Sequence, residues 1–118
     1  MTYSEKLLDY FENPRCVGEL ADADGTAEVS NPVCGDVLKL WVKVADGRVV
    51  DATFKAQGCP AAIATSSFAT EMLIGMALAD ARKITRKEVA DALGGLPPSK
   101  IHCSVLASDA IRAALVDL

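Results

Sequence analysis

The segment from Leu38 to Ala56 constrains the fold more than any other. Leu38, Leu40, Val42 and Val44 alternate with Lys39, Trp41 and Lys43, and Val50, Ala52, Phe54 and Ala56 alternate with Asp51, Thr53 and Lys55. A period of two puts each apolar set on one face of an extended strand. Asp46-Gly47 between the two runs is a dipeptide favoured in two-residue hairpin turns. The chain must therefore form an antiparallel hairpin with an apolar face, and other elements have to cover that face.

The region after the hairpin reads as helical. Pro60 suits a first helical position directly after Gly58-Cys59, and Ala61, Ala64, Phe68 and Met72 form a stripe that Gly75 closes. Thr85 and Glu88 have capping-box spacing, and Gly94-Gly95 ends that helix. Leu96-Pro97-Pro98 reads as a rigid exposed linker. A last helix starts near His102 and runs towards Leu118. Its buried stripe is Ala107, Ile111, Leu115 and Leu118, and its wet face is Ser108, Asp109 and Arg112.

Ahead of the hairpin, Thr2 and Glu5 have capping-box spacing for a first helix that carries Tyr3, Leu7 and Phe11 on one face and stops at Asn13-Pro14. Residues 15–35 read as loop, with a short strand around Thr26 to Ser30. The order of elements predicts an α+β fold, a small antiparallel sheet with several helices packed against it, in a single domain spanning residues 1–118.

Composition narrows the function. Of 118 residues, 51% are apolar and 24% charged, which is globular, and the net charge of -4 argues against nucleic acid as a partner. No apolar run approaches the roughly 18 residues a membrane span needs. Glu5, Lys6 and Asp9 interrupt the N-terminal apolar pattern, so no signal peptide is expected, and the expected location is cytoplasmic.

In that setting the four cysteines, Cys16, Cys34, Cys59 and Cys103, point to metal or thiol chemistry rather than disulfides. There is no C-x-x-C pair, so position matters more than spacing. Cys34 precedes a strand, and Asp36 lies two residues on, so thiolate and carboxylate can face one ion, with Gly35 between them allowing close backbone approach. Cys59 lies just before a helix and Cys103 in the first turn of another, where the helix dipole favours thiolate. A lone cysteine often only packs. Three at element ends, with carboxylate or imidazole neighbours, favour metal or sulfur chemistry.

Three thiolates with Asp or His suit tetrahedral zinc and nearly suit an iron–sulfur cluster, whose permanent sites usually have four cysteines. With a carboxylate in the fourth place, a cluster should be held loosely and exchanged. His102 adjoins Cys103, and helix neighbours do not face each other, so this pair is not a hydrolytic dyad. His102 is either an exposed capping residue or an alternative ligand. Trp41, between Lys39 and Lys43, is either a docking patch or a residue covered by a loop. The cluster Arg82, Lys83, Arg86 and Lys87 is a solvated helix edge or a contact for an acidic partner.

Several motifs occur together: Tyr3-Ser4-Glu5-Lys6, Glu12-Asn13-Pro14-Arg15, Cys34-Gly35-Asp36, Gly58-Cys59 with Ala62-Ile63-Ala64-Thr65-Ser66-Ser67, and Gly95-Leu96-Pro97-Pro98-Ser99-Lys100-Ile101-His102-Cys103-Ser104. In this order the chain resembles, over essentially its whole length, the U-type iron–sulfur cluster assembly scaffolds, the IscU proteins and the N-terminal domain of NifU. The resemblance implies a three-stranded antiparallel sheet with helices against it. It implies Cys34, Cys59 and Cys103 as cluster cysteines, Asp36 as the labile fourth ligand or a release-promoting residue, and His102 as an alternative ligand, notably when zinc is bound. Lys100 would be a nearby charge able to change places with the ligands, and Cys103 the acceptor of persulfide sulfur.

The cargo implied is a [2Fe–2S] cluster, maturing to [4Fe–4S] between two subunits, built from iron. The partners implied are a cysteine desulfurase, an electron-donating ferredoxin, an iron source and apo iron–sulfur acceptor proteins. An Hsp70-type chaperone binds the segment matching Leu96, Pro97, Pro98, Ser99 and Lys100 in many members. Two departures stand out. Cys16 replaces a usual Asn, either as a fourth thiol near the site or as a neutral exchange, and Pro60 replaces a commoner Gly. The further NifU domains are absent, so a stand-alone scaffold is expected. The competing readings are a zinc-stabilised structural domain, which needs no labile carboxylate, and a persulfide carrier, which needs one thiol rather than three.

Overall fold

The computed structural model describes residues 4–31, 35–96, 100–116 and 118. The elements run α1 (Glu5–Glu12), β1 (Gly25–Asn31), β2 (Asp36–Ala45), β3 (Arg48–Gln57), α2 (Pro60–Leu73), α3 (Leu78–Ala81), α4 (Arg86–Ala92) and α5 (Ile101–Leu115). The strands form one antiparallel sheet in the order β1-β2-β3. This is the expected α+β architecture, and no helix among the described residues is long and apolar enough to cross a membrane.

The hairpin turns at Asp46 and Gly47, both at positive φ, which matches the right-handed strand twist. Leu38, Leu40, Val42, Ala52 and Phe54 face the helices and are at most 2% exposed. The expected alternation on β3 fails at its first member. Val42 pairs with Ala52 and Lys43 with Asp51, but Val44 pairs with Val49. Val50 is the extra residue of a bulge, which resets the face. It is therefore 47% exposed, and Val49 takes its place in the core at 0%.

The first strand is longer than the short one expected. Before it, the chain bridges the free edge of β3 at Val17 and Phe54 and then crosses the outer face of the sheet to reach β1. Glu19 meets Lys55 at 2.8 Å, Asp22 pairs with Lys43, and Asp24 accepts the Val44 N–H at 2.8 Å. Trp41 on the same outer face is buried, with Lys39 Nζ 5.2 Å from its ring centroid, so it is covered and not a docking patch.

The inner face is covered by α2 over β3 and α5 over β1 and β2, with α1 and α4 packed outside them. Because α2 is enclosed by the sheet, α1 and α5, burial extends beyond the expected stripe to Thr65, Ser66, Ser67 and Thr70. Two of these hydroxyls are satisfied one turn back, Ser66 Oγ donating to the Ala62 carbonyl and Thr70 Oγ1 to that of Ser66, both at 2.7 Å. On α5 the same holds for Ser108. It was expected on the wet face but is buried, donating to the Val105 carbonyl at 3.1 Å. The cap of α1 is Ser4, which accepts the Leu7 N–H at 3.1 Å and donates to the Leu93 carbonyl at 2.8 Å. The expected capping partner Thr2, with Tyr3, lies outside the described residues. Thr85 caps α4 as expected, accepting the Glu88 N–H at 3.2 Å. At the basic cluster, Arg82 Nε donates to the Leu115 carbonyl, 3.3 Å away.

Candidate metal centre

Three element ends converge at the end of the sheet remote from the hairpin turn. Asp36 opens β2 and shares the inner face with Leu38, which draws its carboxylate under the helices and leaves it 3% exposed. Gly35 precedes it at φ +75°, with its N–H on the Asn31 carbonyl at 2.7 Å. Nothing lies within 4 Å of a Cβ built there, so this glycine serves backbone conformation rather than close approach. Cys59 is the N-cap of α2. Its carbonyl accepts from Ala62 and Ile63, and its thiol makes no capping bond. Cys103 is in the first turn of α5 and is 1% exposed.

One ligand atom from each of Asp36, Cys59 and Cys103 lies within 4.8 Å of the other two. The set mixes soft sulfur with hard oxygen, which suits zinc or iron. Among the described residues, Asp36 Oδ2 is buried without a hydrogen-bond partner. A buried carboxylate oxygen without a hydrogen bond is costly, and a cation bound between this carboxylate and the sulfurs would offset that cost. His102 Nε2 is 3.5 Å from this same oxygen, with its side chain 26% exposed. Asp36 and His102 sit side by side although the sequence offers no local reason for it.

The surroundings of Cys103 oppose the thiolate character expected from its place at a helix start. Burial first, then the neighbouring Cys59 thiol and the Asp36 carboxylate, push its thiol up to about 12, with only Lys100 pulling it down. Desolvation and nearby negative groups outweigh the helix dipole. Cys59 is only partly buried and marks the open side of the site.

The remaining candidates fall elsewhere. Cys34, Pro97, Pro98 and Ser99 lie outside the described residues. Leu96 packs partly against the core, and Lys100 is the N-cap position of α5. Cys16 is not among the grouped ligands. Burial raises the pKa of its thiol, and the carboxylates of Glu71 and Asp51 add to the rise. Its backbone is at φ +63°, a left-handed conformation that Asn adopts more readily than Cys. That fits its replacement of the Asn usual in the family it resembles.

Comparison with known proteins follows this geometry. The family model of the NifU-like N terminal domain matches residues 2–118. The iron–sulfur cluster assembly scaffold protein IscU 1 of Archaeoglobus fulgidus is 57% identical over 115 residues, covering 98% of this chain and 75% of that protein. The scaffold protein IscU of Escherichia coli K12 is 50% identical over 121 residues, covering 99% of this chain and 94% of that protein. Among solved structures, the N-terminal part of a nitrogen-fixing NifU-like protein from Brucella abortus matches with a TM-score of 0.76 over 96% of this chain and 91% of that one. At 22% identity, that match shows the fold.

Proposed function

The chain belongs to the NifU-like N-terminal domain family, and from that premise we propose that it is a non-enzymatic scaffold on which iron–sulfur clusters are assembled and from which they pass to apo-proteins. The observation that carries this reading is the meeting of Asp36, Cys59 and Cys103 at one buried sheet end. The donor set binds iron. Its carboxylate makes a weaker partner for a cluster than a fourth thiolate, so the cluster can leave. The partly exposed Cys59 and His102 keep one side open, whereas a structural zinc site is closed. In this reading Cys34 supplies the third thiolate, His102 serves as alternative ligand for zinc, and residues 1–118 act as one domain.

Sulfur arrives as a cysteine persulfide on a desulfurase. A scaffold thiolate attacks the outer sulfur, the donor's S–S bond breaks, a new one forms, and the donor leaves as thiolate. Two such sulfurs are then reduced to sulfide by four electrons, two from a ferredoxin and one from each of two scaffold-bound ferrous ions, giving a [2Fe–2S] cluster with two ferric ions and freeing the scaffold thiolates. Two subunits can couple a pair of these into [4Fe–4S] on taking up two further electrons from the ferredoxin. Leu96 to Lys100 form the segment for an Hsp70-type chaperone. The family resemblance names Cys103 as sulfur acceptor. Its burial favours a second reading, in which the more exposed Cys59 receives the sulfur first.

The test is anaerobic reconstitution with iron, cysteine, reductant and a desulfurase, followed by addition of an apo-ferredoxin. A cluster that forms on this protein, seen by visible absorption and circular dichroism, and then moves to the acceptor is the expected result. Absence of any cluster, with zinc tightly held, would overturn the proposal in favour of a zinc-stabilised domain.

A further inference from the structure

We propose that Gly58 is the positioning residue for the Asp36 carboxylate, because the missing side chain at 58 is the space through which that carboxylate reaches Cys59 and Cys103. The consequence for clusters rests on the scaffold reading above; the consequence for metal binding does not.

Val37 pairs with Gln57, so extending the register by one residue sets position 58 opposite Asp36. Cβ atoms on opposed residues of antiparallel strands normally sit about 4.5–5.5 Å apart. A Cβ at Gly58 would instead lie 2.2 Å from Asp36 Oδ1, 2.7 Å from its Cγ and 3.2 Å from its Cβ. The carboxylate therefore fills the volume that a side chain at 58 would take. Five other glycines, Gly18, Gly35, Gly47, Gly75 and Gly95, have nothing within 4 Å of such a Cβ, and the close approaches at Gly25 and Gly94 are to Ala114 and Ser4, away from the site. The contact is a property of this position and not of glycine-rich loops in general.

Among the described residues, Asp36 Oδ2 accepts no hydrogen bond, and the His102 ring nitrogen is 3.5 Å away. At 3% exposure Asp36 has no free path to solvent. A methyl group at 58 must then turn the carboxylate away from the two sulfurs or part the strand ends. Gly58 is also at φ +150°, so a substitution there strains the backbone as well. The test has to separate that strain from the clash.

The full chain is compared with Gly58→Ala, Asp36→Ala and the double variant. Zinc alone is the probe, its affinity is read by chelator competition, and thermal midpoints are measured without metal. Gly58→Ala is expected to weaken zinc about 10–100-fold, the range typical when support for a ligand is lost. Asp36→Ala should do the same, and the double variant should be no weaker than Asp36→Ala. The metal-free double variant should melt above Gly58→Ala, because the clash is gone while the backbone strain remains.

Zinc affinity in Gly58→Ala indistinguishable from that of the unaltered protein would overturn the proposal, as would losses that multiply in the double variant. If Gly58→Ala alone does not fold, a folded double variant upholds the proposal. An unfolded double variant shows that the backbone, not the carboxylate, demands glycine, and refutes it. On reconstituted protein, Gly58→Ala should lengthen cluster lifetime as Asp36→Ala does. If the zinc results hold but no cluster forms on the unaltered protein, the role of Gly58 stands and the scaffold reading falls.

Discussion

Asp36 Oδ2 and His102 Nε2 lie 3.5 Å apart, with the carboxylate side chain 4% exposed and the imidazole 26%. The buried partner belongs to a strand end and the exposed one to a helix start, 66 positions later in the chain. The imidazole is thus within reach of the carboxylate that is grouped with the sulfurs of Cys59 and Cys103.

If Asp36 is the ligand that keeps a cluster exchangeable, Asp36→Ala should lengthen the life of a reconstituted cluster severalfold while weakening zinc by about 10–100-fold. Decay of visible absorption under a chelator measures the first, and competition titration the second. Equal or faster decay would remove Asp36 from that role.

Persulfide acceptance should separate the two described thiols at the site. Mass spectrometry after incubation with a desulfurase should find the label lost in Cys59→Ser if the exposed thiol receives sulfur first, and lost in Cys103→Ser if the buried one does. Label surviving both single changes would move the acceptor to Cys34 or Cys16.

Zinc should stabilise the protein without being required for folding, because the core of Leu40, Val42, Phe54, Leu73 and Ile111 closes without it. Zinc at 100 times its dissociation constant adds about 2.7 kcal/mol, which raises the melting midpoint by several degrees. A chelator should return the midpoint to its metal-free value. Unfolding on chelation at room temperature would support the zinc-stabilised reading instead.

Tyr10 donates to Glu71, and burial, that bond and the Glu71 charge push its pKa from 10 up to about 12. The folded state therefore keeps a proton that the unfolded chain gives up. This contribution is complete below pH 10 and is lost as the pH rises towards 12, amounting to roughly 2–3 kcal/mol. Denaturant midpoints measured across that range should fall. Tyr10→Phe should flatten the fall and cost about 1 kcal/mol at neutral pH.

Cys16→Asn should stabilise the protein by up to about 1 kcal/mol, because Asn tolerates the left-handed backbone better than Cys. Its zinc affinity should not change, since Cys16 is outside the group of ligands. Weakened zinc binding would return Cys16 to the site.

Much of the fold was legible because its signals are local. The hairpin was marked by alternation and Asp46-Gly47, and the helix starts at Pro60 and Thr85 by their capping chemistry. Val50 was misplaced because a bulge is set by pairing with β2, which no count along β3 reveals. Ser108 was misplaced because its hydroxyl bonds within its own helix, so the apolar surroundings cost it little. At the site, the residue types were readable, but the charge state of Cys103 was not. A helix dipole can be read from position, whereas burial beside Cys59 and Asp36 cannot.

By itself the sequence determined where strands, turns and helices form and which residues carry metal-binding chemistry, since those follow from periodicity, capping and side-chain type. Only the tertiary structure decided that Asp36, Cys59 and Cys103 share one buried end, that His102 reaches Asp36, that Gly58 leaves the carboxylate its space and that Cys16 stands apart. These depend on distances between segments far apart in the chain, which strand register and helix packing set together.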